Sequence, residues 1–384
     1  MILVEELYFR IRQNLEFKRM FQKVINGKCR PAEKAKQSAQ IHMHSKSGLT
    51  VIVPAYNEAA SITDTIKSIQ NQSWPPAEII VVDDFSSDGT GDLARKCKVT
   101  VIRPPANTGS KAGAQNFALK RVNTPYVMAI DADTTLAPDA IEKLLPALNK
   151  PGVVAACGFV LPRHVKTLWE RGRYIEYLFA FTFYKPIQDY YGTPLISSGC
   201  FSVYRTDVLR ANGAWSTRTM AEDMDLTWSF YEAGQGVRFI PEAVCYPIEP
   251  HNFLFMSKQL KRWSHGFVQN VQLHWKGLLE VPFLRMIVAV SLWDATIASL
   301  AYIVLLPILS ILVSPFFLLG YLLDVPAVIV PVLYTAFRRK EVGRALASLP
   351  GFFVLRLVNS IFLIKALWLE VVVRRPLKVY EKGH

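Results

Sequence analysis

Cysteine is scarce and shows no pairing pattern. The chain has 384 residues and five cysteines, Cys29, Cys97, Cys157, Cys200 and Cys245, an odd number with no Cys-x-x-Cys. This excludes a disulfide scaffold and points to a reduced, cytosol-facing compartment. The sequon Asn71-Gln72-Ser73 has no consequence in such a compartment. No Gly-x-Gly-x-x-Gly follows the first apolar strand and no Walker A sequence occurs, so the usual dinucleotide and nucleoside-triphosphate readings lose support. The seven histidines show no zinc spacing. With 51% hydrophobic and 20% charged residues, the chain is too apolar to be disordered.

The central region also lacks a charge excess. Residues 47–337 hold 24 basic and 24 acidic side chains, residues 1–46 hold ten and four, and residues 338–384 hold ten and three. The formal charge of +13 therefore belongs to the two ends. A phosphate-tracking groove needs clustered Lys and Arg, so no nucleic-acid partner is expected for the centre. Basic ends beside apolar segments instead suggest an anionic lipid bilayer.

Four regions follow from the patterning. Residues 1–48 read as a basic amphipathic helix and a polar linker. Leu7, Ile11, Leu15, Phe21 and Val24 keep helical spacing, with Arg10, Arg12, Lys18, Arg19 and Lys23 between them. Such a helix lies on a membrane surface or packs on the next domain. Glu5, Glu6 and Arg10 interrupt any apolar run, which argues against a signal peptide. Residues 49–250 alternate strands (49–54, 79–82, 100–103, 126–130) with helices (61–70, 111–121). This predicts an α/β domain with a mostly parallel sheet, helices on both faces and ligands at the carboxyl ends of the strands.

Residues 251–282 read as interfacial helices and 283–384 as an α-helical transmembrane region. Between 286 and 337 only Asp294 and Asp324 are charged, and a crossing needs about 20 apolar residues. Two crossings fit, with a break near Ser314-Pro315. The cluster Arg338, Arg339, Lys340 and Arg344 then lies on the cytosolic side, with the α/β domain. Residues 349–373 are apolar but carry Arg356, Asn359, Lys365 and Glu370. They form either a third crossing or an interfacial helix.

Three acidic clusters stand at or after strand ends: Asp83-Asp84, Asp131-Ala132-Asp133 and Glu222-Asp223-Met224-Asp225. An Asp-x-Asp after the apolar run Tyr-Val-Met-Ala-Ile can bind one hard divalent cation, which in turn neutralises a diphosphate. Asn107-Thr108-Gly109-Ser110-Lys111 opens a helix, where glycine lets backbone approach phosphate and Lys111 adds charge. Gln259, Arg262 and Trp263 fall on one helical face.

In order, Val51-Ile52-Val53-Pro54-Ala55-Tyr56-Asn57-Glu58, the Asp-Asp, the Asp-x-Asp, the Glu-Asp and Gln259-Leu260-Lys261-Arg262-Trp263 resemble the inverting family 2 glycosyltransferases. The Gln-x-x-Arg-Trp element is similar to that of the membrane-embedded synthases of cellulose, chitin, hyaluronan and poly-N-acetylglucosamine. The resemblance covers roughly residues 49–275 and the membrane segments that follow. It implies a GT-A catalytic domain facing the cytosol at the cytoplasmic membrane, a UDP-sugar donor, a glycan acceptor and a β-linked product. It implies that Pro54, Tyr56, Glu58, Asp83, Asp84, Lys111, Asp131, Gln259 and Arg262 bind the donor. Asp133 would hold Mg²⁺ or Mn²⁺, and Asp223, with Glu222, would act as catalytic base. Ser198, Gly199, Cys200 and Trp263 would meet the acceptor.

The resemblance also leaves competitors. One is a non-processive transferase with a polyprenyl-phosphate acceptor, and another is a catalytically inactive glycan- or nucleotide-binding subunit. Two features depart from the family. Ala221 stands where Thr is common, and the chain has only the basic helix where many synthases have a crossing before the catalytic domain. A channel would then need a second copy or an accessory membrane subunit.

Overall fold

The computed structural model of the protein describes residues 47–298, 300–322 and 328–378. The amphipathic helix expected within residues 1–48 lies outside them.

Eight strands form one mixed sheet: β1 (Ser47–Ala55), β2 (Pro76–Asp83), β3 (Thr100–Ile102), β4 (Tyr126–Ile130), β5 (Thr135–Leu136), β6 (Val153–Val160), β7 (Phe201–Arg205) and β8 (Gly236–Tyr246). Their order is β3-β2-β1-β4-β7-β6-β8-β5. β1 runs parallel to β2 and β4, and β2 to β3. β7 runs antiparallel between β4 and β6, β6 and β8 are parallel, and β5 adds an antiparallel edge. The sheet is thus mostly parallel, as the alternating pattern predicts, with two reversed strands that the pattern does not reveal.

The strands are near-continuous apolar runs because both faces of the sheet are covered. In β1, Val51 and Val53 enter one hydrophobic core and Ile52 enters the other, the period-two alternation of a strand. Helix α1 (Ile62–Gln70) adds Ile62, Ile66 and Ile69 to the first core. After α2 (Thr90–Lys96), helix α3 (Lys111–Leu119) adds Ala112, Ala114 and Ala118 to the second. A short α4 (Ala140–Leu144) precedes β6, whose eight residues are all buried.

Register brings the functional loops to one edge. Ala55 pairs with Asp83 and Ile52 with Ala129, so β1, β2 and β4 end together. Ile130 pairs with Phe201, which puts the Ser198–Cys200 loop beside Asp131.

The remaining α-helices all follow β6 along the chain. They are α5 (Leu168–Phe179), α6 (Lys185–Tyr190), α7 (Thr206–Ala211), α8 (Glu222–Glu232), α9 (Phe253–Leu273), α10 (Trp275–Glu280), α11 (Pro282–Trp293), α12 (Leu306–Leu312), α13 (Val330–Arg338) and α14 (Val342–Leu367). A π-helical turn, Trp368–Val372, continues α14. The expected break falls between Leu312 and the 3₁₀ segment Pro315–Leu322. Among the described residues, Val342–Val372 is the one helix long and apolar enough to cross a membrane.

One side of α14 is docked on the α/β domain. A Cβ on Gly172 would lie 2.6 Å from the Gly351 carbonyl, so α5 and α14 touch at the backbone. Leu355 packs with Met256 and Leu260 of α9. Asn359 Nδ2 donates to Glu176 (3.3 Å), and Glu370 meets His265 (2.6 Å). The other side leaves Phe353, Val354, Leu357, Ile361 and Trp368 exposed. Asn359 and Glu370 thus turn toward protein and the apolar face turns away from it.

Candidate active site

The strand ends border a cleft of about 970 Å³. Pro54, Tyr56, Glu58, Asp84, Lys111, Asp131, Asp133, Ser198, Gly199, Cys200, Glu222, Asp223, Gln259, Arg262 and Trp263 all line it; among the expected site residues only Asp83 stands behind the wall.

The acids after β2 organise loops. Asp83 Oδ1 accepts from the Ser86 amide (3.0 Å) and Oδ2 from Arg103 Nη1 (3.2 Å). Asp84 accepts from both the amide and the hydroxyl of Thr108 (2.8 Å each), which fixes the turn before α3. Ser110 caps α3 by accepting from the Gly113 amide at 3.1 Å. Lys111, the first residue of α3, is therefore aimed into the cleft from a braced start. Glu58 Oε2 accepts from Ser61 Oγ (2.9 Å), so Ser61 spends its hydroxyl on Glu58 and does not cap α1. Asp88 accepts from the Ala59 amide (2.9 Å) and from Thr90 and ties the first two loops together; Gly89 is the N-cap of α2. Asp225 is buried, paired with Arg218 and His274.

Lys111 is the hub. Its Nζ forms an ion pair with Asp131, stands 3.9 Å from Glu222, and donates to the Gly199 carbonyl at 2.9 Å. The Gly199 amide in turn donates to Asp223 Oδ2 at 2.7 Å. One residue's backbone thus joins the cation to the acid. A Cβ at Gly199 would lie 2.7 Å from Asp223 Oδ2 and 3.1 Å from Lys111 Nζ, so only glycine fits. Burial raises the Glu222 carboxyl; Lys111 and Arg262 oppose the shift and Asp223 adds to it.

Asp133 is the most perturbed acid. Loss of hydration, then the charges of Asp131, Glu58 and Glu249, push it up to about 8. Among the described residues no three His, Cys, Asp or Glu side chains converge to hold an ion alone. The carboxylates present suit a hard cation that takes one or two of them and draws its other oxygen ligands from elsewhere.

The opposite wall contains residues that the motif reading missed. Arg173 and Tyr177 of α5 and Glu249 line the cleft beside Gln259 and Trp263. Gln259 Oε1 accepts from Arg173 Nη2 at 2.7 Å, and Trp263 lies over the Arg173 guanidinium with 4.6 Å to the ring centroid. Burial raises the Glu249 carboxyl, opposed by Arg173 and by hydrogen bonds from Tyr177 and Gln259. Lys185, also buried, donates to Ser198 Oγ at 2.8 Å. Arg173 and Lys185 belong to no motif and are recognisable only after α5 and α6 pack against the cleft.

Comparison with known proteins agrees with this geometry. Residues 50–213 match the family described as Glycosyl transferase family 2. The chain is 28% identical over 224 residues to the poly-beta-1,6-N-acetyl-D-glucosamine synthase of Staphylococcus epidermidis, covering 57% of this chain and 54% of that protein. It is 28% identical over 231 residues to the synthase of the same name from Staphylococcus aureus strain COL, covering 59% and 56%. The match thus spans little more than half of these relatives' length. Among solved structures, the mannosyltransferase PcManGT from Pyrobaculum calidifontis, in complex with GDP-Man and Mn²⁺, superposes with a TM-score of 0.59 at 20% identity, covering 85% of this chain and 88% of that one. This likeness establishes a shared GT-A-like fold. The strand-end acids lie within or beside the stretch, residues 50–213, that is similar to glycosyl transferase family 2.

Proposed function

We propose that the protein transfers a sugar from a UDP-sugar, with inversion, to the hydroxyl of a growing glycan at the cytosolic face of a membrane, building a β-linked polysaccharide. The observation that carries this reading is the Lys111–Gly199–Asp223 link. It sets a cation suited to a diphosphate and a carboxylate suited to an acceptor hydroxyl on the two sides of one peptide unit.

In the reaction Asp223 accepts the acceptor proton as the hydroxyl oxygen attacks the anomeric carbon and the bond to UDP breaks. A positioned general base contributes about 10²–10⁴-fold. Lys111 and Arg262 face the departing diphosphate and hold its charge. Asp133 would hold Mg²⁺ or Mn²⁺, which when bound helps neutralise that diphosphate. Pro54 and Tyr56 border the nucleoside, and Trp263 offers a flat apolar face to a sugar ring.

Membrane attachment is supported by the exposed apolar surface of Ile311, Leu312, Phe316 and Phe337 together with the outer face of α14, and by the basic residues at both ends of that helix. The elongating-synthase reading is favoured by the Gln-x-x-Arg-Trp face and by the named staphylococcal relatives. Export would use a channel completed by a second copy or an accessory membrane subunit.

The test is incubation of the purified protein with a panel of UDP-sugars and Mg²⁺ or Mn²⁺, with and without EDTA, followed by UDP release and mass analysis. A polymer ladder dependent on the cation is expected. A lipid-linked monosaccharide as sole product would replace the polymer reading with the non-processive one. Absence of UDP release from every donor would point to an inactive binding subunit.

A further inference from the structure

We infer that Arg173 is a positioning residue for the acceptor wall, setting Gln259 and Trp263 in place for a glycan ring. The inference deepens the transfer reading and rests on it.

Arg173 has no solvent exposure. A buried guanidinium is costly unless every face is paired. Here its planar fork is distributed over four partners. Nη1 donates to Glu176 Oε2 (2.5 Å), Nη2 to Gln259 Oε1 (2.7 Å) and to Met256 Sδ (3.2 Å), and Nε stands 3.4 Å from Glu249 Oε2. The guanidinium carbon lies 4.6 Å from the Trp263 centroid, cation–π distance.

The consequence is specific to α9. Gln259 spends its side-chain carbonyl on Arg173, which orients its amide. Trp263, one turn further along, is supported by the cation yet stays 37% exposed, leaving indole surface available in the cleft. Sugar rings present apolar C–H faces that stack on an indole, while carboxylates at its edge accept from sugar hydroxyls. Glu176 provides such a carboxylate, and Asn359 of α14 fixes it from the other side. Arg173 is thus the buried centre of a platform whose outer layer would touch the glycan. Lysine could keep the charge and the contact with Trp263, but not the fork that also holds Gln259 and Glu176.

The experiment is a double-mutant cycle on the full chain with Arg173→Lys, Arg173→Gln, Trp263→Ala and the doubles. A β-1,6-linked N-acetylglucosamine pentasaccharide serves as acceptor. Its binding is read by calorimetry and its extension by steady-state kinetics. Arg173→Gln is expected to weaken pentasaccharide binding and raise its KM by about tenfold, with Arg173→Lys intermediate and the donor KM within about twofold. Added to Trp263→Ala, Arg173→Gln should cost little more, because its effect runs through Trp263. Additive losses, or equal losses in donor and acceptor KM with a lowered Tm, would overturn the inference. A wild type that binds the pentasaccharide through Trp263 without extending it would fail the transfer reading, while the binding cycle would still decide the role of Arg173.

Discussion

His265 and Glu370 stand 105 positions apart and meet at 2.6 Å, both buried. The same Glu370 oxygen accepts from Gln269 Nε2 (2.8 Å) and the Leu377 amide (3.0 Å). Gln269 Oε1 then accepts from the Met220 amide (2.9 Å), two residues before Glu222. A single carboxylate therefore staples the end of α14 to α9, and through Gln269 to the loop that leads into Glu222 and Asp223. Glu370→Ala leaves several buried donors unpaired at a cost of about 1–3 kcal/mol each. We expect a lower Tm in detergent and slower transfer with donor affinity retained. An unchanged Tm would show that the staple is dispensable.

Asp223→Asn keeps an oxygen for the Gly199 amide, so the fold and UDP binding should persist. Transfer should fall by about 10²–10⁴-fold. Calorimetry with UDP and a UDP-release assay test the two halves separately. Release equal to wild type would remove Asp223 as the base.

The Gly172–Gly351 contact leaves no room for a methyl group. A Cβ at Gly351 would lie 2.5 Å from the Leu168 carbonyl and 2.9 Å from the Gly172 amide nitrogen. Gly351→Leu should lever α14 from α5 and cost about 1–3 kcal/mol or more. Thermal denaturation of the purified variant measures this. Full stability would mean that α14 does not dock as described.

His274 gives a pH signature. Burial opposes its imidazolium, but hydrogen bonds to Asp225 and Glu232 (2.8 Å each) outweigh burial and raise its pKa above the usual 6.5. Stability from this cluster is therefore fully present below about pH 6.5 and is lost as pH rises through the raised folded value. Asp225 is held low, burial being outweighed by His274 and Arg218, so its own contribution fades only as pH falls through that lowered value. Tm measured from pH 5.5 to 9 should decline on the alkaline side in wild type, and less in His274→Gln. Parallel profiles would reject the cluster as the cause.

Local pattern carried much of the fold. Strand Tyr126–Ile130 has the limits that its apolar run predicts, because an uninterrupted run ending in Asp is legible without its partners. The antiparallel placement of β7 was not legible, since five alternating residues look alike in either direction and only pairing with Ile130 and Cys157 orients them. The acids at strand ends were visible as motifs. What they touch was not: Asp84 binding Thr108 depends on two loops meeting.

The sequence by itself determined the alternation of strands and helices, the neutral centre between basic ends and the order of the acidic motifs. These follow from hydrophobic periodicity and charge, which are local. Only the tertiary structure decided that Gly199 joins Lys111 to Asp223, that Arg173 sits beneath Trp263, and that the polar residues of the last long helix, Asn359 and Glu370, find partners on α5 and α9. Those contacts join residues tens to more than a hundred positions apart, and burial makes their pairing obligatory only once packing has brought them together.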